Sequence, residues 1–151
     1  MNILVTGGCG YKGSVLIPKL LKDGHNILSV DTNWFGDNLK ENNLLKKIQC
    51  DIRDIDNIPM QGIDTIVHLA NIANDPAVEL NQSLSWEVNV LASQQLVDKA
   101  VRNGVQKIIY ASSGSVYGIK EELNVTEDLS LLPISTYNKT KMVAERVLLS
   151  Y

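Results

Sequence analysis

A glycine-rich stretch follows the first apolar run of the chain and reads Thr6-Gly7-Gly8-Cys9-Gly10-Tyr11-Lys12-Gly13. Glycines thus recur at positions 7, 10 and 13, between a predicted strand over 2–6 and a predicted helix over 14–22. Glycine permits a tight turn and lets a pyrophosphate approach the backbone, while the helix N-terminus supplies unpaired N–H groups and a favourable dipole. The same spacing also occurs in plain structural turns, but here the strand–loop–helix context is present. The stretch therefore predicts a dinucleotide-binding loop.

Predicted strands and helices alternate along the rest of the chain. Short apolar runs predict strands over 26–30, 46–50, 64–69 and 107–111. Apolar residues at helical spacing predict helices over 84–101 and from 136 onwards, the last with Ser135 as its N-cap. Parallel strands need crossover connections, which are usually helices. We therefore expect an α/β fold of one domain over 1–151: a Rossmann-like, doubly wound parallel sheet with helices on both faces.

Composition and charge exclude several classes of protein. The 151 residues include 14 basic and 17 acidic ones, for a net charge of −3, so the basic surface of a nucleic-acid-binding protein is not expected. No apolar run reaches the roughly 18 residues that span a bilayer, and the N-terminus lacks a secretory signal pattern, which predicts a cytoplasmic protein without membrane contact. The two cysteines, Cys9 and Cys50, form neither a disulfide framework nor a metal-ligand set, so reduced thiols and no metal are expected.

An acidic residue follows the second predicted strand at the position expected for ribose binding. Asp31 lies 18 residues after Gly13, close to the spacing at which a carboxylate accepts hydrogen bonds from the adenosine ribose hydroxyls. A carboxylate there repels a 2′-phosphate, and the following Thr32-Asn33 offers no arginine to bind one. NAD is therefore favoured over NADP as the cofactor. The alternative interpretation is a solvated aspartate that caps a turn.

Two groups of reactive side chains lie late in the sequence. Tyr137 and Lys141 are four residues apart on one face of the last predicted helix. A nearby ammonium stabilises a phenolate, which lowers the tyrosine pKa toward working pH. The serines of Ser112-Ser113-Gly114-Ser115 follow the fifth predicted strand, where ligands bind in a doubly wound sheet. The pattern predicts a tyrosine general base, with a surface amphipathic pair and plain turn serines as the alternatives.

These motifs occur together in one order, which is typical of a known superfamily. The ordered set consists of the glycine loop, Asp31, Asp51-Ile52-Arg53, His68-Leu69-Ala70, Asn89-Val90, residues 113–118 and residues 137–141. From Asn2 to its last residue, the sequence resembles the extended short-chain dehydrogenase/reductase superfamily, and within it the NAD-dependent nucleotide-sugar epimerase/dehydratase family typified by UDP-galactose 4-epimerase. The motifs are specific for the superfamily and much less specific for the substrate.

The resemblance implies two sets of site residues. The set that binds NAD would be Gly7, Gly10, Tyr11, Lys12, Gly13, Asp31, Asp51, Ile52, Leu69, Ala70, Asn71, Asn89, Ala111, Tyr137 and Lys141. Within it, the glycine loop would hold the pyrophosphate, Asp31 the adenosine ribose, and Asp51 with Ile52 the adenine. In the catalytic set, Tyr137 would be the base, Lys141 would bind the nicotinamide ribose and lower the tyrosine pKa, and Ser113 would hydrogen-bond the reacting sugar oxygen. His68 is expected to be a core residue.

The implied reaction begins with oxidation of a sugar hydroxyl. Tyr137 takes the hydroxyl proton and a hydride passes to the nicotinamide, leaving a keto-sugar; an epimerase then returns the hydride to the opposite face. A 4,6-dehydratase of this family carries an acidic pair directly after its catalytic hydroxyl, whereas this sequence has Gly114-Ser115. An epimerase is therefore favoured, and the alternatives are an NAD(P)H-dependent reductase of a sugar or other carbonyl substrate and a non-catalytic NAD-binding module.

The resemblance also bears on size and partners. Family members are considerably longer, and this sequence ends just after the Tyr137 helix, so we expect it to lack the sixth strand and the C-terminal substrate lobe. A nucleotide sugar is the implied substrate. A homodimer is the implied assembly, formed through the two long predicted helices, and neither nucleic acid nor a membrane is expected as a partner.

Overall fold

The computed structural model describes Met1 to Tyr151 and contains five strands and five α-helices. The strands are β1 (Asn2–Thr6), β2 (Asn26–Asp31), β3 (Leu45–Gln49), β4 (Thr65–His68) and β5 (Lys107–Tyr110). The helices are α1 (Tyr11–Lys22), α2 (Asp75–Leu80), α3 (Gln82–Trp86), α4 (Ala92–Arg102) and α5 (Thr136–Leu148). The chain divides into two compact units: a first unit of Met1–Asn71 and Gln95–Ala111, and a second unit of Ile72–Gln94 and Ser112–Tyr151.

All five strands lie in the first unit and form one parallel sheet in the order β3-β2-β1-β4-β5. The central strand β1 is buried along four of its five residues, as its continuous apolar sequence predicts. The strand order reverses direction between β1 and β4, which is where a doubly wound sheet opens a crevice beyond the carboxyl ends of its strands. The expected Rossmann-like fold class is therefore confirmed.

One hydrophobic core cluster of the first unit lies where α1 packs on β1 and β2. It is built from Ile3, Val5, Cys9, Ile17, Ile27, Leu39 and Val67. Leu39 belongs to the irregular segment between β2 and β3. Lys47 also holds this segment in place, because its Nζ contacts Asp37 at 2.8 Å and Glu41 at 2.5 Å. These two carboxylates raise the pKa of Lys47 well above its usual value. An asparagine-rich segment without regular structure is thus anchored by one apolar side chain and one lysine.

The second unit contains α2, α3, the start of α4 and α5, together with a π turn over Glu87–Leu91 and a 3-10 turn over Gly114–Tyr117. Ser135 caps α5, as predicted, because its side chain accepts a hydrogen bond from the backbone N–H of Asn138. Between the 3-10 turn and this cap, the chain has no regular element. None of the chain's helices combines the length and hydrophobicity needed to cross a membrane.

The structure agrees with the predicted strands to within one residue. Helix α1 begins three residues before the predicted start at 14, and the structure departs from the predicted helices in two further places. Helix α2 was not predicted; Asn74 caps it through a hydrogen bond from the Ala77 N–H, and a proline stands in its first turn. The single helix predicted over 84–101 is instead α3, the π turn and α4, running without a break from Gln82 to Arg102. Both departures lie where side chains, rather than apolar periodicity, set the backbone.

Candidate active site

At two positions of the glycine loop, neighbouring backbone atoms lie too close to leave room for a side chain. Gly7 has a φ of +72°, and a Cβ there would lie 2.6 Å from the backbone nitrogen of Ala70. A Cβ on Gly13 would lie 2.6 Å from the carbonyl oxygen of Gly7. Helix α1 starts directly after Gly10, and no side chain caps its first turn. The loop therefore offers backbone N–H groups at a helix N-terminus, which fits the pyrophosphate of a dinucleotide.

Asp31 ties three segments together at the carboxyl end of β2. Its Oδ2 accepts a hydrogen bond from the Cys9 N–H at 2.9 Å, and its Oδ1 accepts one from the Asn33 N–H at 2.8 Å. Its backbone oxygen accepts a third from the Cys50 N–H at 2.9 Å. The carboxylate is therefore held beside the glycine loop, and each of its oxygens keeps acceptor capacity for a ribose hydroxyl.

Other residues of the predicted NAD-binding set follow the remaining strands of the first unit. Asp51 comes after β3 and is paired with Arg53 at 2.8 Å; hydrogen bonds from this guanidinium hold the Asp51 pKa below its usual range. Ile52 is buried. Asn71 follows β4, donates from Nδ2 to the Leu69 carbonyl at 2.9 Å, and has a buried Oδ1 without a hydrogen-bond partner in the chain. An unpaired buried amide oxygen is a site for a ligand donor.

The second unit contains all three predicted catalytic side chains. Ser113 ends an extended segment and caps the 3-10 turn, and its hydroxyl acts to lower the pKa of Tyr137 in the first turn of α5. Lys141 lies one turn further along the same helix and is only 2% exposed. The unit thus brings a serine hydroxyl to the tyrosine phenol and places a buried lysine on the same helix. This arrangement can move a proton from a substrate hydroxyl.

The pKa of Tyr137 departs from the sequence expectation. Lys141 was expected to lower it, but the structure raises it above its usual value, mainly because burial disfavours the phenolate. The hydrogen bond with Ser113 lowers the pKa, and the carboxylate of Asp75 raises it again. The prediction of a lowered tyrosine pKa is therefore wrong for the chain by itself, since it counted charge and left out desolvation.

Asn89 makes three side-chain hydrogen bonds inside the second unit. Its Oδ1 accepts from the Ile72 N–H at 2.7 Å, and its Nδ2 donates to the Ile72 carbonyl at 3.1 Å and to the Thr140 hydroxyl at 3.1 Å. The side chain therefore connects the start of the unit to α5 and braces the helix that carries Tyr137. Direct contact between Asn89 and a cofactor stays a prediction. His68 is 1% exposed and hydrogen-bonded to Thr6, which agrees with a core residue.

Five polar residues of the second unit are absent from the predicted site residues. Ser115 donates to Asn138 at 2.6 Å, and Ser112 donates to Glu145 at 2.5 Å. The charge of Asp75 acts on Tyr137 from helix α2. For Asn138 and Glu145, the sequence contains a usable signal: both lie on the helix of Tyr137, one and eight residues after it. Asp75 gives no such signal, because α2 was not predicted.

Comparison with known proteins assigns the chain to a family. The family model "NAD dependent epimerase/dehydratase family" matches residues 3–151. A UDP-glucose 4-epimerase of Lactobacillus helveticus is 30% identical over 152 aligned positions, which cover 98% of this chain and 46% of that protein. A putative UDP-glucose 4-epimerase of Methanocaldococcus jannaschii is also 30% identical and is covered to 50%. The chain thus spans about half the length of the curated relatives it matches.

Solved structures agree with this assignment. A dTDP-glucose 4,6-dehydratase of Streptomyces venezuelae, with NAD bound, superposes with a TM-score of 0.93 at 28% identity, over 100% of this chain and 51% of its own. A UDP-N-acetylglucosamine 4-epimerase of Methanobrevibacter ruminantium superposes with a TM-score of 0.91 at 29% identity, over 99% and 49%. Epimerases and a dehydratase therefore match about equally well, so the match does not separate the two reactions. The chain belongs to the NAD dependent epimerase/dehydratase family, and NAD is its cofactor, as the sequence predicted.

Proposed function

We propose that the chain is the cofactor-binding and catalytic half of an NAD-dependent nucleotide-sugar epimerase. The observation that carries this proposal is that neither of the two residues after Ser113 is acidic. Gly114 and Ser115 follow Ser113, and the Ser115 hydroxyl is bonded to Ser113 and Asn138. Family relatives that act on UDP-glucose support a nucleotide sugar as the substrate.

The absence of acidic side chains at Gly114 and Ser115 also argues against a dehydratase. Loss of water from a sugar needs an acid to protonate the leaving hydroxyl and a base to remove a proton from the neighbouring carbon. Gly114 has no side chain, and the hydroxyl of Ser115 cannot serve as either group near neutral pH. Oxidation and re-reduction at one carbon need only Tyr137 as the acid and base. Epimerisation is therefore the reaction that these residues support best.

The proposed binding of NAD uses backbone groups and three polar side chains. The glycine loop would hold the pyrophosphate, Asp31 the adenosine ribose, Asn71 would offer its buried oxygen to a ligand donor, and Lys141 would hold the nicotinamide ribose. NAD, when bound, supplies the acceptor for the hydride that leaves the sugar carbon. The further NAD-binding residues proposed from the resemblance are Asp51, Ile52, Leu69, Ala70, Asn89 and Ala111.

The chain's own part in the reaction is proton transfer and positioning. Tyr137 Oη would accept the proton of the sugar hydroxyl as the carbon–hydrogen bond breaks, and would return it when the hydride comes back. Ser113 would bond the same sugar oxygen and keep it beside the phenol. Burial raises the pKa of Tyr137, so ionisation of the phenol needs a positive charge nearby. Both the Lys141 ammonium and the oxidised nicotinamide carry a positive charge.

The test of the proposed reaction is the identity of its product. The natural protein, incubated with NAD and UDP-glucose, is expected to form UDP-galactose without net formation of NADH, which nuclear magnetic resonance and absorbance would follow together. A 4-keto-6-deoxy product would contradict the proposal and indicate a dehydratase. Stoichiometric consumption of NADH with a carbonyl substrate would contradict it in favour of a reductase.

Replacing Asp31 by alanine is expected to weaken NAD binding about ten- to a hundredfold, because hydrogen bonds to a charged acceptor are worth roughly 1.5–3 kcal/mol. The ratio of NAD to NADP affinity should fall as well, since the group that repels a 2′-phosphate is lost. Calorimetric titration with each nucleotide measures both effects. Asp23→Ala, which removes an exposed carboxylate after α1, is the matched control and should change neither. Equal NAD affinity in Asp31→Ala and the unaltered chain would remove Asp31 from the site.

A further inference from the structure

The segment that carries Ser113 belongs to no strand or helix. Strand β5 ends at Tyr110 and the 3-10 turn begins at Gly114, so residues 111–113 lie outside every regular element. Ser113 itself has an extended backbone, with a φ of −147° and a ψ of 137°. Because no strand or helix holds Ser113, its place depends on the contacts that its neighbours in the sequence make.

The residues on either side of Ser113 are hydrogen-bonded to helix α5. Ser112 Oγ donates to Glu145 Oε2 at 2.5 Å, and Ser115 Oγ donates to Asn138 Oδ1 at 2.6 Å. The two acceptors are seven residues apart on α5, which is about two turns, or about 10 Å along the helix axis. In the sequence, Ser113 therefore lies between two points of attachment to the helix of the proposed base.

The attachment at Glu145 is the stronger of the two. A carboxylate accepts a stronger hydrogen bond from a hydroxyl than a neutral amide does. Ser112 and Glu145 are both partly buried, whereas Ser115 is exposed, so water competes less for the bond to the carboxylate. A peptide bond joins Ser112 to Ser113, and any displacement of Ser112 from α5 therefore displaces Ser113 as well.

Helix geometry places Glu145 on the face of α5 that carries the proposed base. Tyr137, Lys141 and Glu145 follow one another at intervals of four residues, and side chains at this spacing lie along one face of a helix. The carboxylate therefore draws Ser112 to the face that carries the phenol and the buried ammonium. Ser113, the next residue, is kept on the side of the helix where a reacting sugar hydroxyl would have to bind.

We propose that Glu145 is a positioning residue, which holds Ser113 in place against α5 through its hydrogen bond with Ser112. The proposal rests on the proposed roles of Ser113 and Tyr137 in epimerisation. In it, Glu145 touches no substrate and takes up no proton, because its carboxylate serves only as a fixed hydrogen-bond acceptor. A glutamine, whose amide oxygen also accepts from a hydroxyl, should therefore replace Glu145, and an alanine should not.

The first measurement is the rate of sugar epimerisation by the natural protein at saturating NAD. Glu145→Ala and Ser112→Ala should each lower kcat about ten- to a hundredfold, because a misplacement of about 1 Å can cost 10²-fold in rate. The double variant should be no slower than the slower single variant, since both substitutions remove the same bond. Glu145→Gln should keep kcat, and all variants should keep the KM for the nucleotide sugar, within about threefold.

The second measurement needs neither NAD nor substrate. It is the hydrogen exchange of the Val116 N–H, which donates to the Ser113 carbonyl at 3.3 Å and so reports whether this segment stays in place. Exchange should be about tenfold faster in Glu145→Ala and in Ser112→Ala, since a hydrogen bond to a charged group is lost. In Glu145→Gln the exchange should stay at the original rate.

Glu127→Ala and Ser150→Ala are the matched controls, because they remove an exposed carboxylate and an exposed hydroxyl of the same unit. Both should keep the original kcat and the original exchange. The proposal is overturned by a Glu145→Gln variant as slow as Glu145→Ala, by faster exchange in Ser112→Ala at an undiminished kcat, or by unchanged exchange in both alanine variants. A natural protein that forms no epimerised sugar would instead refute the proposed function, and the exchange would still decide whether Glu145 holds the segment.

Discussion

Replacing Tyr137 by phenylalanine is expected to slow sugar epimerisation by the natural protein about a thousandfold. General acid–base catalysis contributes roughly 10²- to 10⁴-fold to such reactions, and the hydroxyls of Ser113 and Ser115 cannot take up the proton near neutral pH. The substitution keeps the ring and removes only the phenol oxygen. The measurement is the initial rate of UDP-galactose formation from UDP-glucose at saturating NAD.

Two further measurements make this prediction specific. NAD affinity should change less than about tenfold, because the proposed ribose contact is made by Lys141. Since burial raises the pKa of Tyr137, kcat/KM of the unaltered protein should rise with pH on the alkaline side of neutrality, as more of the base is ionised. Tyr110→Phe, which removes a tyrosine hydroxyl on β5, is the control and should keep the full rate. A Tyr137→Phe variant with undiminished epimerisation would exclude this residue as the base.

The parts of this site that could be predicted from the sequence are those whose structure depends on neighbouring residues. A strand, a loop with glycines at fixed spacing and a helix are all encoded within residues 2–22, and the structure has them there. The end of β2 at Asp31 and the Ser135 cap of α5 are likewise set by neighbouring residues. Lys141 lies four residues after Tyr137, and helix geometry alone places the two residues on the same face of α5.

The parts that could not be predicted depend on partners distant in sequence. The π turn contains Asn89, whose amide bonds residues 17 and 51 positions away, and apolar periodicity contains no trace of such contacts. The bond between Ser115 and Asn138 spans 23 positions. The raised pKa of Tyr137 follows from burial, a property of the packed unit, so counting nearby charges gave the wrong sign. The site's residue types were therefore predictable, and its proton energetics were not.

Replacing Gly13 by alanine is expected to destabilise the first unit by about 3 kcal/mol, the upper range for overpacking, and so lower the melting temperature by roughly 10 °C. The added Cβ would lie 2.6 Å from the Gly7 carbonyl oxygen and closer still to that of Gly8. Backbone atoms cannot turn aside as a flexible side chain can, so the loop or α1 has to shift. Thermal unfolding followed by circular dichroism measures the loss, and NAD binding should fall with it.

Gly10→Ala distinguishes an effect on the packing of the loop from an effect on NAD binding. A Cβ at Gly10 meets only the Gly7 carbonyl oxygen, at 3.4 Å, and its φ of −74° suits any residue. Stability should therefore change by no more than about 1 kcal/mol, the usual cost of alanine at an N-cap. The methyl group would nevertheless occupy the approach to the uncapped first turn of α1, so NAD affinity should fall in a fully folded chain. Unchanged affinity in Gly10→Ala would mean that the pyrophosphate does not lie against this loop, whereas equal destabilisation by the two substitutions would refute the packing argument for Gly13.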